Sequence, residues 1–135
     1  MKTLTIHNNI AETAQLEDFL NEVGDEYDVA PQVTFQLNLA LDEALANSVN
    51  YAYPAGETGA VILEAERTGN TLVFRLIDQG TPFDPTKEAG EVDITLSAEE
   101  RPIGGLGIFL INQMMDSVSY ERKDGSNILT MTMTV

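Results

Sequence analysis

The chain has 135 residues, 22 of them acidic and 7 basic, for a formal net charge of -15. A length of this order predicts one domain, and 43% hydrophobic residues with no low-complexity tract predict a closed core rather than a disordered chain. An acidic surface with its cations scattered along the sequence has no general attraction for phosphate backbones or anionic lipids, which argues against nucleic-acid and membrane-surface partners.

Residues 2 to 7 alternate apolar and polar, predicting a first strand with Leu4 and Ile6 inward. Asn8 and Asn9 then offer an N-cap to an amphipathic helix over 10 to 27. Its inner face is Leu16, Phe19, Leu20 and Val23, and its outer face holds Glu12, Glu17, Asp18 and Glu22. After a turn at Asp28 to Ala30, Pro31 suits the first position of a second helix that runs to about Tyr51 and stops at Tyr53-Pro54-Ala55-Gly56.

Strands near 59 to 68 and 71 to 78 follow, joined by Gly69-Asn70, with Val61, Leu63, Ala65, Leu72, Phe74 and Leu76 inward. From Gln79 to Ile103 no periodicity is sustained, and a long irregular segment inside a small domain reads as a lid. Glycines at 104, 105 and 107 open a third helix over Ile108 to Met115. Strands at 117 to 122 and 127 to 134 close the chain around Lys123-Asp124-Gly125-Ser126. The order predicts an α+β two-layer sandwich, with helices on one face of a mixed, mostly antiparallel sheet. The opposite sheet face carries Thr130, Thr132, Thr134 and charged residues, as a solvated or partner-binding face would.

Cysteine is absent, which excludes disulfides, thiolate metal sites and cysteine nucleophiles and fits a reducing compartment, the cytoplasm by default. No apolar run approaches the roughly 20 residues that span a bilayer, and the first residues lack the apolar core of an export signal. His7 is the only histidine, so two-histidine zinc motifs are impossible.

Three features carry chemistry. In the second helix Gln36, Glu43, Asn47 and Asn50 share one narrow stripe, while most other positions are apolar. An apolar surround of this kind predicts a buried helix whose inward Glu and Asn side chains need a polar ligand or cation, the alternative being an ordinary solvated stripe. Next, Asp78 ends an apolar strand and is followed by Gly80, Pro82 and Phe83. A strand-end carboxylate there can accept a hydrogen bond from an exocyclic amine, and Gly80 permits an unusual backbone angle; an Asp-capped turn is the simpler reading. Last, Gly104-Gly105-Leu106-Gly107 opens a helix without a lysine, so bare N–H groups can meet a phosphate, or the glycines are only a hinge.

Taken in this order, Glu43-x-x-x-Asn47, Asp78-x-Gly80-x-Pro82-Phe83 and Gly104-x-Leu106-Gly107 resemble the N, G1 and G2 boxes of the GHKL ATP-binding fold. The single-domain length, Pro82-Phe83 and Ile103-Gly104-Gly105-Leu106-Gly107-Ile108 are most similar to the anti-sigma-factor serine kinases within that superfamily. The resemblance implies that Asn47 ligates a Mg²⁺ on the ATP phosphates and that Glu43 is the general base or positions the attacking nucleophile. It implies that Asp78 reads the adenine amine, that Gly80 lets the base approach and that Phe83 belongs to the nucleotide site. Residues 81 to 103 would form the ATP lid, and the backbone at Gly104, Gly105, Leu106 and Gly107 would contact phosphates, with Asn50 a weaker candidate on the phosphate or metal side.

The implied reaction moves the γ-phosphate of ATP to a serine on a small antagonist protein, in competition with binding to a sigma factor, and relatives commonly act as homodimers. An ATP-dependent binding module without kinase activity is the alternative. Three positions depart from the family's common residues: Tyr51 stands where histidine is frequent, Gly105 where arginine is common, and Ser126-Asn127 in place of Gly-Thr.

Overall fold

The computed structural model describes residues 1–54, 56–82 and 111–135. Its elements are β1 (Lys2–His7), a 3₁₀ turn (Ile10–Ala14), α1 (Gln15–Tyr27), α2 (Pro31–Tyr51), β2 (Ala60–Thr68), β3 (Thr71–Asp78), β4 (Ser117–Lys123) and β5 (Ser126–Thr134). The first predicted helix is thus two pieces. Asn9 caps the 3₁₀ turn by accepting from the Ala11 N–H, and the α-helix begins only at Gln15. Asp28 ends α1 in the left-handed region at φ 56°, where its short polar side chain is tolerated. Pro31 opens α2 as expected, because its missing N–H is one that no helix bond would use. Residues 111–114 are helical; the glycine cluster and the predicted lid from residue 83 onward lie outside the described residues.

Five strands form one sheet in the order β1-β2-β3-β5-β4, and every ladder among the described residues is antiparallel. Two tight hairpins set the register, with Gly69 at φ 59° and the Asp124-Gly125 pair at φ 51° and 80° taking the conformations these turns require. Alternation then sends Ile6, Val61, Leu63, Ala65, Leu72, Phe74, Leu76, Leu129 and Met131 to one face. Those side chains meet Leu16, Phe19, Leu20 and Val23 of α1 and Leu37, Ala40, Leu41, Ala44, Leu45 and Val49 of α2 in a single core. The helices cover one sheet face. On the other, Ile62, Ile77 and Ile128 align across three strands, and Arg75 bridges to Glu66 at 3.0 Å and Glu64 at 4.0 Å.

The expectation of a second helix buried on nearly all sides is corrected. A two-layer fold offers α2 one covered flank, and Phe35 and Leu39 on the other are 65% and 51% exposed.

At its C-terminal end α2 is fastened to the sheet. The Tyr53 hydroxyl donates to the Ala60 carbonyl at 2.6 Å and accepts from the Gln79 N–H at 2.9 Å, joining the start of β2 to the end of β3. The ring lies where a Cβ on Gly59 would be, at 2.2 Å. Gly80 is the second contact point. The Thr81 N–H donates to the Ala52 carbonyl at 2.7 Å, and a Cβ on Gly80 would stand 2.1 Å from that same oxygen. Gly80 is absent from the positive-φ glycines, so space between loop and helix end, not an unusual backbone angle, is what requires glycine here.

Two stability predictions follow from this packing. Phe74→Ala, which empties the centre of the core, is expected to destabilise by about 3–5 kcal/mol in chemical denaturation. Gly80→Ala must push the loop off the Ala52 backbone and is expected to cost about 1–3 kcal/mol; unfolding midpoints equal to wild type would contradict the close approach.

Candidate functional site

The sheet register builds the site before any loop is considered. Asp78, the last residue of β3, faces Asn127 on β5, and Asn127 faces Arg122 on β4, so the three stand in one row on the covered face. Asp78 and Asn127 are the buried polar residues among those described, 7% and 6% exposed. Their partners are specific. Asp78 Oδ1 accepts from the Gly80 N–H at 2.9 Å and from Asn127 Nδ2 at 2.8 Å. The same Nδ2 donates to the Thr81 carbonyl at 2.8 Å, and the Tyr120 hydroxyl donates to Asn127 Oδ1. Arg122 Nη1 donates to the Gly80 carbonyl at 2.7 Å. The turn after β3 is therefore held from three sides, by α2, β5 and β4.

Asp78 Oδ2 has no hydrogen-bond partner among the described residues. A buried carboxylate oxygen without a donor is costly, so an incoming donor at that oxygen gains what the apoprotein lacks. Above it is a cavity with apolar walls of Ala44, Leu76 and Leu129, and with Asn47, Ser48, Tyr51, Thr81 and Tyr120 around the rim. Apolar walls beside a carboxylate oxygen suit an aromatic ring carrying an exocyclic amine.

The sequence-predicted residues separate in this frame. Asn47, half-buried, and Asp78 line the same cavity, and Gly80 forms the turn beneath it. Glu43 is exposed one helical turn before Asn47, on the same flank of α2. Asn50 is exposed and lines a different, open groove with His7, Asn8, Glu12, Tyr53 and Glu57. The argument that this helix stripe is buried and needs a ligand is thereby corrected. Glu43 and Asn50 reach water, and the buried oxygen without a donor among the described residues is Asp78 Oδ2, at a strand end. Phe83, Gly104, Gly105, Leu106 and Gly107 lie outside the described residues.

His7 is exposed, 3.4 Å from Glu12, and does not line the Asp78 cavity. Tyr53, Tyr120, Arg122 and Asn127 were not singled out as site residues by sequence reasoning, although Ser126-Asn127 had registered as a departure from the family pattern. The hairpin pairing of 117 to 122 with 127 to 134 was the available signal, since it brings Tyr120, Arg122 and Asn127 together.

No group of three or more His, Asp or Glu side chains able to hold a metal occurs among the described residues. Asn47 offers one neutral oxygen. That donor set fits Mg²⁺ delivered with nucleotide phosphates and keeping most of its water, because Mg²⁺ takes few protein ligands in such sites.

The family of histidine kinase-like ATPase domains matches residues 6–133. The chain is 35% identical to the serine/threonine-protein kinase BtrW of Bordetella bronchiseptica over 101 residues, 75% of this chain and 70% of that protein. It is 36% identical to the serine-protein kinase RsbW of Listeria monocytogenes over 96 residues, covering 69% of this chain and 61% of the relative. The chain thus spans less than two thirds of the Listeria protein. Among solved structures, the histidine kinase domain of the blue-light activated histidine kinase from Erythrobacter litoralis shares the fold, with a TM-score of 0.59 at 13% identity over 90% of this chain and 60% of that one. The histidine kinase AdeS of Acinetobacter baumannii does so at 0.54 and 12%, over 99% of this chain and 68% of that one. With an antiparallel sheet backed by two helices, a strand-end Asp at the floor of an apolar cavity and a family match along nearly its whole length, the chain belongs to the histidine kinase-like ATPase domains.

Proposed function

We propose that the chain is an ATP-dependent serine-protein kinase of the anti-sigma-factor type, working in the cytoplasm as one domain with residues 81 to 103 as its ATP lid. The observation that carries this reading is Asp78 Oδ2, without a partner among the described residues, in a largely apolar cavity that Asn47 also lines. In this reading the adenine amine donates to Asp78 while Leu76, Leu129 and Ala44 take the ring faces. The triphosphate then runs along α2 toward Asn47 and Glu43. Gly104, Gly105, Leu106 and Gly107 contact phosphates through backbone N–H groups, Phe83 belongs to the nucleotide site, and Asn50 is a secondary candidate on the phosphate or metal side.

The catalytic roles are those the family resemblance implies, and the residue chemistry suits them. Asn47 would hold Mg²⁺ through its side-chain oxygen, and the metal supplies neutralisation of phosphate charge. Glu43, exposed and one turn away, accepts the proton of the serine hydroxyl as its oxygen bonds to the γ-phosphorus and the bond from that phosphorus to the bridging oxygen of ADP breaks. An exposed base suits a protein substrate, since a serine on a second molecule must reach it. The phosphoacceptor is a small antagonist protein and the competing partner a sigma factor, in line with the kinase names of the relatives; a homodimer is the expected assembly.

Two experiments test this. Mg-ATP at a hundredfold its Kd should stabilise the protein by about 2.7 kcal/mol, read as a raised melting temperature. Asp78→Asn should abolish that rise, and chelating Mg²⁺ should collapse it. Labelled ATP with a cognate antagonist should give phosphoserine, at least about a hundredfold less with Glu43→Ala. ATP binding without any transfer would select the non-catalytic binding module instead.

A further inference from the structure

The hydrogen bonds around Asn127 have a directional logic that bears on which base the cavity accepts, an inference that rests on the ATP-site reading. Asn127 Nδ2 is 2.8 Å from Asp78 Oδ1 and 2.8 Å from the Thr81 carbonyl. A carboxylate and a carbonyl only accept, so the nitrogen end of the carboxamide must face them. Its Oδ1 therefore points the other way, and since an amide oxygen only accepts, the Tyr120 phenol is the donor there. The proton of Tyr120 is spent on Asn127, and the Nδ2 protons are directed at Asp78 and Thr81. The Gly80 N–H is spent on the same Asp78 oxygen at 2.9 Å. Of the polar atoms that Asp78, Asn127 and Tyr120 bring to the cavity lining, the one without a partner among the described residues is Asp78 Oδ2, an acceptor. Asn127 and Tyr120 both line that cavity, beside the apolar walls of Leu76 and Leu129.

We propose that Asn127, oriented by Tyr120, is a specificity-determining positioning residue that makes the cavity floor acceptor-only and so selects a 6-aminopurine over a 6-oxopurine. The amine of a 6-aminopurine donates to Asp78 Oδ2. A 6-oxo group in the same place sets its lone pairs against that oxygen, and a buried acceptor facing an acceptor leaves both unsatisfied. Discrimination depends on the carboxylate staying pivoted with Oδ1 toward the sheet. Two donors hold it there, one from the backbone at Gly80 and one from Asn127. Without the side-chain donor Asp78 is held from one side and its second oxygen is no longer fixed at the floor.

The test compares ATP with ITP, which differ at this edge of the base, by calorimetry with Mg²⁺ present on the full chain. Wild type is expected to prefer ATP by at least about tenfold, the worth of one buried donor–acceptor pair. Asn127→Leu is expected to lose about tenfold in ATP affinity with ITP changed less, so the preference collapses. Asn127→Thr, which keeps a hydroxyl donor for Asp78, should retain most of the preference, a rescue that generic loss of stability would not produce. Tyr120→Phe removes one hydroxyl and keeps the ring; it guards against misfolding of the leucine variant and should lower the ATP-to-ITP ratio by about threefold. An unchanged ratio in both Asn127→Leu and Tyr120→Phe, or a threonine variant no better than leucine, overturns the proposal. Wild type that binds neither nucleotide overturns the ATP-site reading beneath it.

Discussion

The site depends on one carboxylate held in one orientation. Asp78 ends β3 with Oδ1 bound by the Gly80 N–H and by Asn127 Nδ2, while Oδ2 has no donor among the described residues although Asp78 is 7% exposed. Burying an incompletely paired acceptor works against folding, so the surrounding structure must over-determine it. The surroundings have the means. The turn after Asp78 is tied to the end of α2 through Thr81 and Ala52, to β4 through Arg122, and to the start of β2 through Tyr53.

Each of those ties uses backbone that the antiparallel sheet leaves at its end. Hydrogen-bond ladders satisfy strand interiors, but carbonyls and N–H groups at strand termini need other partners. Here side chains from neighbouring elements supply several of them, and the glycines at 59 and 80 let those elements approach more closely than a Cβ would allow. Positioning of the candidate reader and closure of the sheet end are therefore the same physical event. A change made for one will be felt by the other.

Charge gives the second constraint. A chain at -15 that takes up an anionic nucleotide gains nothing from its overall field, so binding has to come from local donors and apolar contact, joined by a metal in the proposed function. The described cavity matches that division, with apolar walls, one acceptor at its floor and the neutral Asn47 at its rim. The helices that cover the sheet carry Glu17, Asp18, Glu22, Asp25, Glu26, Asp42 and Glu43 and no Lys or Arg, which leaves the sheet strands with most of the cations.

Sequence alone determined the element order, the strand faces and the hairpins, because periods of 2 and 3.6 and turn-forming glycines are local properties of the chain. It also singled out Asp78, Gly80 and Asn47, since their types and spacing carry the family resemblance. Tertiary structure decided the rest. Whether α2 is covered on one flank or all round depends on how many layers pack, which no residue of α2 encodes, and Phe35 and Leu39 look identical to core residues until the fold leaves them exposed. Gly80 needs space and not a rare φ, a distinction that exists only once Ala52 stands against it. Asn127 and Tyr120 join the site through the pairing of β3, β5 and β4, which brings a side chain 49 residues distant onto Asp78. Contacts of that range are fixed by register and burial, and those are settled only when the whole sheet closes.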